Sequence, residues 1–246
     1  MQPLSASQLL GVWETGWTQS PLHRALTILT VAFPEISAEA LASLPMGQRD
    51  ARLLALRAQT FGPRLNSLAM CPACGERLEL AFDVDDICVG EISDGHPPAP
   101  EATLSLSLDD YSITFRLPNS LDLAAVTNEA DPRQLLLTRC LLTAAHKGKP
   151  CSPTRLPQKI VQALVEKMSE VDPQADIQLD LTCPACQHEW LAAFDILAFF
   201  WTEIHHWAQR TLREIHLLAV AYGWSEHEIL ALSPWRRAMY LQMVMQ

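Results

Sequence analysis

Two identical Cys-Pro-Ala-Cys turns are the segments of this sequence best suited to chemistry. One holds Cys71 and Cys74, and the other holds Cys183 and Cys186, 112 positions further along from residue 71 to residue 183. Thiolates are good zinc ligands, and a structural zinc site takes four ligands in a tetrahedron. Each turn can aim two sulfurs at one point, so together they predict one structural Zn²⁺ per chain.

Other uses of these cysteines are less well supported by the sequence. Redox Cys-x-x-Cys motifs have the first cysteine at a helix N-terminus, whereas both turns here precede alternating, strand-like segments, Arg77–Asp83 and His188–Phe194. A catalytic zinc keeps one position open for water, and four cysteines leave none. His188 as a substitute ligand is a minority alternative, and the choice between zinc and iron stays open.

The two turns belong to a longer internal repeat. Each is followed by six residues and then by Ala-Phe-Asp, at Ala81–Asp83 and at Ala193–Asp195. We interpret this as two copies of one supersecondary unit related by an approximate twofold axis. Gly75 permits a tight exit from the first turn, whereas Gln187 occupies that place in the second, which must close without glycine.

Apolar periodicity and capping residues predict the remaining elements. Polar–apolar alternation predicts a hairpin around each cysteine turn and two further strands at Ala102–Leu108 and Tyr111–Leu117. Linkers are predicted at Val89–Glu101 and Gly148–Pro157, where glycine and proline accumulate. The predicted helices begin after Ser5 and cover Pro21–Ala32, Ser37–Leu44, Gly47–Phe61, Ser120–Val126, Pro132–Ala145, Gln158–Val171, Asp195–Tyr222, Ser225–Leu232 and the residues after Ser233.

The resulting fold class is α+β, mainly helical, with a central zinc-ribbon-like pair of β-hairpins. We expect five regions along the chain. They are an N-terminal helical region (1–62), a first zinc-knuckle hairpin with strands (63–118), a middle helical region (119–175), a second zinc-knuckle hairpin (176–194) and a C-terminal helical region (195–246).

Composition and charge restrict the class of protein. The chain has 246 residues with 18 Lys and Arg against 28 Asp and Glu, a net charge of −10, which disfavours nucleic acid as a partner. No leader segment and no uncharged apolar run of about 18 residues is present, so we expect no membrane span. Seven cysteines, an odd number, favour a reducing compartment over a disulfide framework. We therefore expect an intracellular protein.

Aromatic residues are concentrated near the C-terminus. The predicted helix after Asp195 is apolar on nearly every side, which exceeds the single stripe that a surface helix needs. A packed helical core would explain this, but we favour a surface that binds a partner protein. The residues predicted for that surface are Phe199, Phe200, Trp201, Trp207, Trp224 and Trp235.

Motifs typical of enzymes are missing from the sequence. It has no Gly-rich phosphate loop, no Gly-x-Ser-x-Gly elbow and no His-Glu-x-x-His helix. This lowers the expectation of catalysis, although an enzyme of unknown class remains an alternative.

Several patches of the sequence resemble one family. The segments concerned are Met46–Arg57, Thr60–Gly62, Cys71–Glu76, Phe115–Ser120, Ala221–Leu230, Leu232–Pro234 and Arg236–Arg237. Together they resemble the baseplate hub assembly chaperones of T-even-like phages, and most of all the relatives encoded in clusters for phage-tail-like contractile injection systems.

The resemblance implies a function without catalytic residues. A protein of this family is expected to help build the baseplate of a contractile tail, with hub or wedge proteins as partners. A permanent structural subunit, present in the finished particle, is the alternative. The sequence leaves the oligomeric state, the stoichiometry and the identity of the baseplate partner open.

Overall fold

The computed structural model describes residues 3–89 and 103–244. Within those ranges the chain is α+β, with helices in the majority and three small antiparallel sheets. The helices are α1 Ala6–Gly16, α2 Pro21–Ala32, α3 Ala38–Ala42, α4 Met46–Phe61, α5 Val84–Ile87, α6 Ser120–Val126, α7 Pro132–Cys140, α8 Gln158–Val171, α9 Ile196–Tyr222, α10 Glu226–Ala231 and α11 Pro234–Val244. The strands are β1 Arg64–Met70, β2 Arg77–Asp83, β3 Leu104–Leu108, β4 Tyr111–Phe115, β5 Leu141–His146, β6 Lys149–Pro150, β7 Gln178–Thr182 and β8 Glu189–Ala193.

Capping side chains set the N-termini of most helices. Ser5 caps α1 and Ser225 caps α10, each in a reciprocal capping box. Asp195 accepts a hydrogen bond from the backbone N–H of Ala198 and so opens α9. Gly223 ends that helix in the left-handed conformation, with φ of 69°. These boundaries confirm the predictions from the sequence.

The largest core lies between the N-terminal helices and the first half of α9. Helix α4 contributes Leu53 and Leu56, and α9 contributes Phe200 and Ile204, all fully buried. The start and the end of the chain therefore share one hydrophobic core. That shared core holds the first half of α9 in place. It therefore also limits where β8, which directly precedes α9, can lie.

Two smaller cores complete the structure. The second half of α9 packs with α10 and α11 through Leu218, Ile229 and Leu241. The four-stranded sheet β3-β4-β5-β6 packs with α7 and α8 around Phe115 and Leu164.

The middle of the chain departs from the sequence-based prediction. The helix expected to run from Pro132 to Ala145 ends at Cys140, and Leu141–His146 forms β5 instead. Strand β5 pairs with β4, with Ala144 opposite Ile113, so strand pairing and burial in the sheet core outweigh the local helical pattern.

The predicted linkers also differ from the structure. Within the linker expected at Gly148–Pro157, Lys149–Pro150 forms β6 against β5. Of the linker expected at Val89–Glu101, only Val89 lies within the described residues.

The segments that carry the family resemblance tie the cores together. The Met46 N–H donates to the carbonyl of Pro118 at 3.1 Å. Arg57 on α4 forms a two-pronged ion pair with Glu203 on α9, with N–O distances of 2.8 and 2.6 Å. Because α9 follows directly from β8, this pair helps to hold the second cysteine hairpin in place.

In the described part of the chain, no helix combines the length and apolar character that crossing a bilayer requires.

Candidate metal centre

The four predicted cysteine ligands meet at one point in the fold. Cys71 Sγ lies 3.7 Å from Cys186 Sγ, and Cys74 Sγ lies 3.6 Å from Cys183 Sγ. All four sulfurs lie within 4.8 Å of one another and could hold a metal ion. A tetrahedral site with Zn–S bonds of about 2.3 Å requires sulfurs about 3.8 Å apart, far longer than a disulfide. The cysteines are free thiols, so their spacing fits a shared metal.

The two turns have the same backbone hydrogen bonds. In the first, the Cys71 N–H donates to the carbonyl of Glu76 at 2.8 Å. In the second, the Cys183 N–H donates to the carbonyl of His188 at 2.9 Å. The residue after each second cysteine, Gly75 or Gln187, donates back to the first cysteine of its turn at 2.9 Å. The repeat in the sequence is therefore a repeat in the structure.

One position of the turns distinguishes the copies. Gly75 has φ of 77° and Gln187 has φ of 58°, both in the left-handed region. Glycine adopts this conformation without steric cost, whereas a side chain there costs roughly 1–2 kcal/mol. The second turn thus closes without glycine by accepting backbone strain at Gln187.

An approximate twofold relation extends beyond the sulfurs. Exchanging the copies converts the Cys71–Cys186 pair into the Cys183–Cys74 pair, and the two distances differ by only 0.1 Å. Phe82 and Phe194, equivalent positions in the repeat, contact each other edge to face with ring centroids 5.6 Å apart. Equivalent positions therefore face each other across the axis.

Burial within the cluster follows the same relation. Cys71 and Cys183 are buried, whereas Cys74 and Cys186 are exposed. Leu78 and Trp190, which are equivalent in the repeat, pack against the buried pair. Each copy therefore supplies one sulfur from the interior and one from the surface.

The thiols of the cluster differ in acidity. Burial opposes ionisation of Cys71, but hydrogen bonds from the backbone N–H groups of Cys74 and Ala73 outweigh it and lower the pKa of Cys71 to about 7. The backbone N–H of Glu76 favours ionised Cys74, yet the neighbouring thiols, Cys186 foremost, together with burial raise the pKa of Cys74 to about 12. Metal binding requires thiolates, so a cation that binds here releases protons from the cluster.

The structure disperses the aromatic residues that were predicted to bind a partner. Phe200 is fully buried in the main core, which leaves it no surface for a partner, and the prediction for this residue is wrong. Trp201 lies under the guanidinium of Arg24, 4.4 Å from the ring centroid. Trp224 stacks on Tyr222.

The remaining three predicted residues have different exposures. Phe199 and Trp207 are half-buried against the main core. Trp235 on α11 is 72% exposed.

Buried charges on α4 were not predicted. Burial raises the pKa of Asp50 to about 6 although Arg49, 2.7 Å away, lowers it. The backbone N–H of Gly47 donates to Asp172 at 3.0 Å, and a Cβ at Gly47 would lie 1.9 Å from that carboxylate. Such contacts between distant segments leave little signal in the local sequence. The one available signal was Gly47 itself, because glycine in the first turn of a helix suggests a close approach by another group.

Comparison with known proteins identifies one family. The family profile described as T4 bacteriophage base plate protein matches residues 25–201, more than two thirds of the chain and all four cysteines. Neither the curated proteins nor the solved structures include a significant match.

Proposed function

Because this chain belongs to the T4 bacteriophage base plate protein family, we propose that it is a non-enzymatic assembly factor for the baseplate of a contractile, phage-tail-like injection system. The family match over residues 25–201 is the observation that carries this proposal. On this proposal the protein acts as a chaperone in the bacterial cytoplasm, on hub or wedge proteins.

A structural zinc ion is the second part of the proposal. Four sulfurs spaced for a tetrahedral ion, two of them buried, support zinc ligation. The ligands come from hairpins separated by the middle of the chain. Bound zinc would therefore fix the orientation of the helical regions that follow each hairpin. A protein that binds partners through such helices needs them held in one orientation.

The proposed docking surface lies on α11. Trp235, Met239 and Met243 follow one another at intervals of four residues and therefore share one helix face. Their exposed fractions are 72%, 37% and 59%. Large apolar side chains in a row on one face are typical of protein interfaces, and tryptophan is a frequent energetic centre of them.

Co-expression with the baseplate proteins of the same gene cluster, followed by affinity capture, tests the proposal. We expect the chain to capture a hub or wedge protein. Trp235→Ala should weaken this binding roughly 30-fold or more, as expected for a central tryptophan. Trp17→Ala is the matched control, because Trp17, the residue that follows α1, is 58% exposed and does not belong to α11. Failure to capture any baseplate protein would contradict the proposed function.

A permanent structural subunit of the baseplate is the alternative that the same family match supports. Mass spectrometry of purified particles separates the two functions. An assembly factor is absent from the finished particle, whereas a structural subunit is present in fixed stoichiometry.

A further inference from the structure

A groove of about 670 Å³ lies between the two cysteine hairpins, lined by β2 and β7. The lining includes two runs of consecutive residues, 79–82 on β2 and 176–181, of which 178–181 belong to β7. Side chains of a strand alternate between its faces, so a run of consecutive lining residues means that the strand presents its backbone edge. Among the described residues each hairpin has two strands only, so no described strand covers the outer edges of β2 and β7.

The hydrogen bonds at the strand ends show which backbone groups point into the groove. Glu76 and Val84, which flank β2, bond to residues beside β1, so the alternation of an antiparallel pair turns Glu79 and Ala81 outward. Ile177 and Cys183, which flank β7, bond to residues beside β8, and the same alternation turns Gln178 and Asp180 outward. No described residue hydrogen-bonds to these outward N–H and C=O groups.

The charge of the groove has one sign. Its described lining residues include Glu79, Asp86, Asp176 and Asp180, which carry carboxylates, and none of them is Lys, Arg or His. The segment 90–102 of this chain carries three further carboxylates and no Lys or Arg, so it does not supply the complementary charge. A segment that fits here must bring its own cations.

The internal repeat gives this groove a counterpart with different surroundings. Its counterpart across the twofold axis lies between β1 and β8, where α9 supplies Ala198, Phe199 and Thr202 to the lining. Helix α5, which follows β2 as α9 follows β8, ends after four residues at Ile87. The groove between β2 and β7 therefore lacks the long helix that borders its counterpart.

We propose that this groove binds an extended, basic segment of a partner protein by β-strand addition. The partner's backbone pairs with the outward groups of β2 or β7, and its Lys or Arg side chains lie against the carboxylates. At the spacings of a β-sheet, a volume of about 670 Å³ holds roughly four extended residues. This site is separate from the α11 surface and offers backbone pairing instead of apolar contact.

A synthetic peptide tests this site without reference to baseplate proteins. The probe is a ten-residue peptide of alternating lysine and threonine, blocked at both ends and titrated into the isotope-labelled full chain. We expect the amide resonances of Glu79, Ala81, Gln178 and Asp180 to shift and their hydrogen exchange to slow. A peptide with methylated backbone nitrogens and one of alternating glutamate and threonine should each bind at least tenfold more weakly.

Paired variants separate edge pairing from general attraction. Asp180→Pro removes an outward N–H that the hairpin does not use and should weaken binding roughly fivefold. Leu68→Pro, at the equivalent outward position of β1, should bind the peptide as wild type does. If Asp180→Pro unfolds the hairpin, a second pair of variants, Glu79→Lys and Glu189→Lys, tests the site instead. Glu79 lines the groove and Glu189 does not, so only Glu79→Lys should weaken peptide binding.

Several results would overturn the proposal. They are binding of the methylated peptide equal to that of its parent, equal losses in the members of a variant pair, shifts confined to other surfaces, or no binding at millimolar peptide. None of them would bear on the capture of baseplate proteins, so failure of this site and failure of the proposed function are distinguishable.

Discussion

Loss of one sulfur, through Cys183→Ser, should release the metal and loosen the whole chain. A zinc ion at this site links positions separated by 115 and 109 residues, as in the pairs Cys71–Cys186 and Cys74–Cys183. Closing a loop of about 100 residues with a cross-link lowers the entropy of the unfolded chain by the equivalent of about 4.7 kcal/mol. Typical domains are stable by about 5–15 kcal/mol, so this loss would consume much of the stability.

Metal content and denaturant unfolding measure this effect together. We expect about one zinc per chain in the wild type, because a complete shell has four ligands, and far less in Cys183→Ser. The unfolding free energy of the variant should fall by about 5 kcal/mol. The fluorescence of Trp190, which packs against the cluster, reports unfolding at the site itself.

Two controls make the comparison specific. Cys88→Ser alters a free, half-buried thiol outside the cluster and should leave the metal content unchanged. A chelator should bring the wild type down to the stability of Cys183→Ser and leave that variant unaffected. If Cys183→Ser keeps its zinc, or unfolds at the same denaturant concentration as zinc-loaded wild type, the metal does not join the two hairpins.

Two further predictions concern stability. Asp122→Asn should cost about 3–5 kcal/mol, because it removes the buried carboxylate that pairs with the guanidinium groups of Arg116, at 2.5 Å, and Arg139, at 2.9 Å. Burial opposes ionisation of Asp122, but hydrogen bonds from Arg116 and Arg139 outweigh it and hold the pKa of Asp122 below its ordinary value. The resulting stabilisation is present above about pH 4 and is lost as the pH falls through the lower folded-state pKa. Urea titrations at several pH values should show this decline in the wild type and not in Asp122→Asn. Gln187→Gly should raise the unfolding free energy by roughly 0.5–1 kcal/mol and Gly75→Ala should lower it by a similar amount, since only glycine adopts the positive φ of these two positions without cost. Thermal unfolding should show opposite changes in midpoint for the two variants. A destabilised Gln187→Gly would contradict this reasoning.

The elements next to strong local signals could be predicted from the sequence. Ser5, Ser225 and Gly223 set helix ends through contacts within a few residues, and such contacts are readable from spacing. The two cysteine turns have the same sequence, and each supplies only two of the four ligands that a zinc site needs. The sequence therefore predicted that these distant segments meet. The four sulfurs of those turns do lie within 4.8 Å of one another.

The parts that could not be predicted depend on distant partners. The chain forms a strand at Leu141–His146 because that segment pairs with β4. Its own residues do not indicate that pairing, since strand formation depends on the neighbouring strand. Phe200 is an interior residue because α1, α2 and α4 surround the first half of α9. An apolar helix looks alike from its sequence whether its partners belong to the same chain or to another.

The twofold relation of the hairpins has a consequence for how such a centre can originate. Either half presents two sulfurs, and half a coordination sphere cannot satisfy a tetrahedral ion. An ancestral polypeptide with one such half would complete the sphere only as a homodimer around the ion. Fusion of two copies in a single gene makes that pairing permanent, and it frees each half to diverge. The halves of this chain are already unequal in that way, with a four-residue helix after one and a 27-residue helix after the other.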